Sequence, residues 1–70
     1  MKIKFIEVGR NKLSWEVELP NAAERTLVKE IHKKHALISR DIQTVHDNDT
    51  NSGHIYAGFR PVGAYQVLSA

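Results

Sequence analysis

Residues 46–54 read His46-Asp-Asn-Asp-Thr-Asn-Ser-Gly-His54, with Asp47, Asp49 and Asn51 at alternate positions between two histidines. Oxygen donors at alternate positions are the opening of a calcium loop, whose EF-hand form also needs glycine sixth and a bidentate glutamate twelfth. Counted from Asp47, the sixth residue here is Ser52 and the twelfth is Gly58, and no Glu follows Glu30. Asp, Asn, Thr, Ser and Gly are also the residues that turn geometry selects. The stretch therefore reads as a hairpin connection rather than a metal loop.

The four histidines raise transition-metal chemistry. Four neutral imidazoles can fill a tetrahedral zinc shell. His32 and His35 share a helix, but three residues of helix turn them about 60° apart. No short Cys/His signature accompanies them. No metal is assigned; His32, His35, His46 and His54 with Asp47 and Asp49 are the side chains that one would need. Titration of these imidazoles near neutral pH is the safer expectation.

Nucleophilic catalysis has little to draw on. There is no cysteine, and Ser14, Ser39, Ser52 and Ser69 lie in no Gly-x-Ser-x-Gly elbow. His46 beside Asp47 or Asp41 is a base–carboxylate neighbourhood of the kind that arises by chance. Neither a Walker loop nor a Gly-x-Gly-x-x-Gly turn is present to cradle phosphate. The expectation is a protein without catalytic activity and without a cofactor.

Seventy residues with no cysteine make one domain, residues 1–70, without disulfides. Chains of this size bury only about 60% of the surface that their unfolded form exposes, so a second surface or a second copy would add much. The alternating start Met1-Lys-Ile-Lys-Phe-Ile-Glu-Val-Gly9 lacks the apolar core of a signal peptide. No window approaches the ~20 apolar residues of a membrane span. A soluble, cytoplasmic protein is expected.

The elements that must position these residues follow from periodicity. Lys12-Leu-Ser-Trp-Glu-Val-Glu-Leu19 alternates strictly, with Leu13, Trp15, Val17 and Leu19 on one side. That is a strand with one buried and one wet face. Lys2–Val8 begins with the same period at Ile3 and Phe5, then breaks step at Ile6 and Val8, as a bulge near Phe5–Ile6 or a strand covered on both faces would explain. Gly9-Arg-Asn11 closes a hairpin between the two.

Pro20-Asn21 ends the second strand and starts a helix, with Asn21 as cap and Glu24 completing a capping box. Ala23, Leu27, Ile31 and His35 form its inward row. Glu30 lies outside and pairs with Lys34. The helix is expected to end near Ala36–Ile38 and to be followed by a strand over about 41–46. Two further strands are expected at 54–59, with Ile55, Ala57 and Phe59 on one face, and at 64–68, joined by a turn at Arg60-Pro-Val-Gly63. The fold class is α+β: an antiparallel sheet of four to five strands, in the order ββα(β)ββ, with one amphipathic helix on one face. This order is shared by many unrelated small proteins and by itself carries no function.

Binding is the remaining class of activity. The formal charge is +2 and uneven: residues 1–40 carry nine Lys/Arg and five Glu, residues 41–70 one Arg and three Asp. The leading expectation is a protein–protein module acting through a sheet edge, the helix face or a projecting 60–65 turn, with self-association as a homodimer included. The alternative is a phosphate-bearing ligand, nucleic acid or nucleotide, held by Arg10, Lys12, Arg25, Lys29, Lys33, Lys34 and Arg40. Tyr56, Arg60 and Tyr65 complete the candidate contacts, and Phe59 is a further aromatic of the same kind.

Overall fold

The computed structural model describes residues 1–37 and 40–69. In it β1 (Lys2–Val8), β2 (Leu13–Glu18), α1 (Glu24–Lys33), β3 (Ile42–Asp47), β4 (Ser52–Ala57) and β5 (Arg60–Ser69) follow one another. The strands form one sheet in the order β2-β1-β5-β4-β3, every pair antiparallel. The expected α+β architecture is thus the observed one, with five strands and a single helix. α1 carries the chain from one sheet edge to the other, and β5 returns between the two hairpins to join them.

The expected bulge lies between Phe5 and Val8, where β1 slips one residue against β2. Glu7 takes φ +47° there. Alternation puts Ile6 on the face opposite Phe5, and the extra residue lets Val8 rejoin the core beside Ile3 and Phe5. The core is completed by Leu27, Ile31, Ile42, Ile55, Tyr65 and Val67, with Trp15, Val17 and Val28 packed against it. Among the described residues, no helix is long and apolar enough to cross a membrane.

One register line crosses all five strands on the helix side: Trp15, Phe5, Tyr65, Gly53 and His46. Phe5 and Trp15 stack with centroids 4.6 Å apart. Tyr65 lies over Gly53, where a Cβ would come within 2.5 Å of the Tyr65 ring. Its hydroxyl emerges at His46, with Oη and Nδ1 2.7 Å apart.

Several local expectations are corrected. The helix starts at Glu24 rather than just after Asn21, and no side chain caps Ala23. Asn21 instead accepts from the Ala23 N–H and the Thr26 hydroxyl, ordering the approach to the helix. Glu24 is drawn away from a capping box because its carboxylate reaches β3. At the other end, regular helix stops at Lys33. His35 takes φ +58°, while the His35 and Ala36 N–H groups donate back to the His32 and Ile31 carbonyls. That is a Schellman closure, and a residue in this conformation leaves the helix, so His35 is exposed rather than in the inward row. Ala23 is exposed as well. Ile38, where the helix end was extended, lies outside the described residues.

The last hairpin also differs. The turn is the two-residue connection Gly58–Phe59, and residues 60–65 are strand rather than a projecting turn. Gly58 has φ +66°, the requirement of a tight hairpin whose first central residue is glycine. Pro61 fits inside β5 because it opposes Tyr56 beyond the end of the β1 pairing, next to the irregularity between Ile55 and Tyr56. Phe59 therefore stands at the hairpin tip, fully exposed, instead of sharing a face with Ile55 and Ala57.

Candidate functional site

The hairpin built from His46 to His54 is stabilised by its own side chains. Asp47 Oδ1 accepts the Asp49 N–H at 2.9 Å, and the Thr50 and Ser52 hydroxyls meet at 2.7 Å. The pleat separates the two histidines: His46 shares the helix side with Tyr65, whereas His54 pairs with Val45 and Ala64 on the open face. His32 and His35 sit at the far end of α1. Among the described residues, no group of three or more His, Cys, Asp or Glu side chains converges as a metal site would require.

The cationic candidates fall into separate groups. Arg10 and Lys12 from the β1–β2 turn and Arg60 from the start of β5 line one open cleft of about 1040 Å³. Glu7, His35 and Asp41 line it too, so positive charge is interleaved with negative. The cleft is built from unusual backbone: Glu7, Lys12, His35, Gly9 and Gly58, all with positive φ, lie on its walls. Arg25 and Lys29 line a different, shallow hollow beside Val28 and His32. Lys33, Lys34 and Arg40 are exposed beyond it. Tyr56 is half-buried in the sheet, and Tyr65 is a core residue at 1% exposure. Burial raises the Tyr65 phenol above its usual value.

Two glutamates have roles that periodicity did not suggest. Glu30 is 6% exposed and its Oε2 accepts the Trp15 indole N–H at 3.1 Å. Burial of that carboxylate replaces the expected surface pair with Lys34. Glu24 Oε1 accepts the backbone N–H of Thr44 at 2.7 Å. A strand facing a helix start was the only available hint of the second contact.

The Glu24 contact makes the two sheet edges unlike. Thr44 is an outward-facing residue of edge strand β3, and its N–H is occupied by a helix carboxylate. On β2 the orientation follows from Leu19, whose N–H donates to the Met1 carbonyl at 2.8 Å. In the same register Val17 faces Ile3 and Trp15 faces Phe5. Alternation then turns the backbone N–H and C=O of Ser14, Glu16 and Glu18 away from the sheet. Among the described residues, no side chain or neighbouring segment is hydrogen-bonded to those outward groups. Both flanks of this edge are distinctive: Trp15 and Val17 are half-buried on the helix side, and Glu16 and Glu18 are exposed on the other.

No protein-family model, curated protein or solved structure matches the chain.

Proposed function

We propose that this protein is a small non-catalytic binding module that engages a protein partner, with the outer edge of β2 as the contact. The inequality of the two edges supports this reading. Exposed strand edges are templates for pairing with another chain, and folded proteins usually blunt them. Here the central outward N–H of β3, at Thr44, is taken by Glu24, while all three outward residues of β2 keep theirs for strand addition. The test places a photo-reactive residue at position 16 or 18 and, as the contrast, at position 45 on the opposite edge strand. Discrete adducts from 16 and 18 but not from 45, formed in the native host, are expected. Equal labelling from both edges, or none from β2, would overturn the reading.

A second reading rests on a different observation, the meeting of Arg10, Lys12 and Arg60 in one cleft. These cations suit a phosphate-bearing ligand, with nucleotide or nucleic acid as the class. Retention on a phosphate or nucleic-acid matrix that falls with salt, and is lost in the double variant Arg10→Glu/Arg60→Glu, is its signature. No retention at low salt removes it.

A further inference from the structure

The occupant of the β2 edge can be described chemically from the pairing that β2 already makes. On its inner side β2 is matched to β1, whose sequence Lys2-Ile-Lys-Phe5 alternates cation and apolar residue. Lys2 stands opposite Glu18 and Lys4 opposite Glu16, while Ile3 and Phe5 stand opposite Val17 and Trp15. The charges are used: Lys2 Nζ lies 3.3 Å from Glu16 Oε1, diagonally across the pair. The same β2 side chains present the same two stripes to the outer side, acidic on the open face and apolar on the helix face.

Resting on the proposed role of β2, we infer that the partner contributes an extended segment in which Lys or Arg alternates with β-branched or aromatic residues. It adds to β2 as a sixth strand, with the cations beside Glu16 and Glu18 and the apolar residues beside Trp15 and Val17. The Glu16 and Glu18 side chains keep 46% and 75% of their surface exposed despite their contacts with Lys2 and the Met1 ammonium, so oxygen remains to be shared with a second cation. A second copy of this chain is the less suitable occupant. Antiparallel pairing of β2 with itself, centred on Glu16, sets two Glu16 carboxylates directly opposite one another, an arrangement that destabilises sheets.

The probe is a synthetic peptide repeating Lys-Ile-Lys-Phe, titrated into the whole protein and followed by Trp15 fluorescence and calorimetry. Four results together are expected. The peptide binds; N-methylation of its alternate amides abolishes binding; exchange of Lys for Glu abolishes it; and the double variant Glu16→Lys/Glu18→Lys weakens it roughly tenfold or more. N-methylation acts on the peptide alone, so its effect does not depend on any variant folding. Equal binding of the Glu peptide, or of a peptide with the same residues in two blocks, would overturn the inference. So would absence of binding at millimolar concentration. In that case adducts from positions 16 and 18 would still uphold the edge as the contact, whereas their absence would remove both readings. Light scattering that shows a dimer dissociated by Glu16→Pro would also overturn it, in favour of a second copy.

Discussion

Glu30 and Trp15 meet where the helix crosses the edge of the sheet, and each explains the other's position. An indole N–H that leaves water needs an acceptor, and a carboxylate carried inward by Leu27 and Ile31 needs a donor. Glu30→Ala leaves the donor alone in a half-buried place and is expected to cost about 1–3 kcal/mol in urea unfolding, with Glu30→Gln costing less. Gly53 is set by a different constraint, the ring lying flat across it. Gly53→Ala forces that ring to move and should cost about 1–3 kcal/mol by the same measurement. Tyr65→Phe removes the hydroxyl that meets His46 and should cost about 0.5–1.5 kcal/mol at neutral pH. Its signature is in alkali. Burial raises the phenol above 10.0 in the folded protein, so the unfolded chain loses that proton first. The stability associated with the neutral phenol is fully present below pH 10.0 and is lost as pH rises from there through the raised folded value. Subtracting the Tyr65→Phe unfolding curve from that of the original protein isolates this decline, and a flat difference across that range would contradict it.

At the scale of elements, the helix does more than roof the sheet, because its first residue occupies the central outward N–H of the β3 edge. Glu24→Ala should therefore cost about 0.5–1.5 kcal/mol and, more diagnostically, should produce larger species in light scattering as concentration rises. A variant that stays monomeric would show that this carboxylate does not guard the edge. The two N-terminal strands were legible in the chain because their apolar residues alternate, and the broken phase at Ile6 and Val8 announced the bulge. The end of the helix was not, because a histidine closes it where glycine is the usual signal. Nor was the last turn: Gly58 looked like a flaw inside a strand, and Arg60-Pro-Val-Gly63 looked like the corner. Local composition marks where a chain is able to turn, while pairing with β4 decides where it does. The openness of β2 was equally hidden, since it depends on which residues face β1 and on a glutamate that reaches across to a different strand.

Taken whole, the molecule is a single-layer sheet with one helix across one face, and its opposite face carries Lys2, Lys4, Ile6, His54 and Val45 in water. A core of this size rarely supplies more than roughly 3–5 kcal/mol, so a modest urea midpoint is expected for the isolated chain. With its histidines dispersed over two faces and the helix end, chelation should leave the melting temperature unchanged; a drop on chelation would point to a bound ion. Strand addition at β2 should raise that temperature with peptide concentration, as any ligand selective for the folded form does. The extra residue in β1 is surplus to the alternation that aims Ile3, Phe5 and Val8 at the core. Deleting one residue between Phe5 and Val8 would straighten the strand and put its two ends in a common phase. Val8 would stay opposite Leu13 and on the side of Ile3 and Phe5, so loss of Glu7 should cost less stability in urea unfolding than Val8→Asp, which puts a charge in the core.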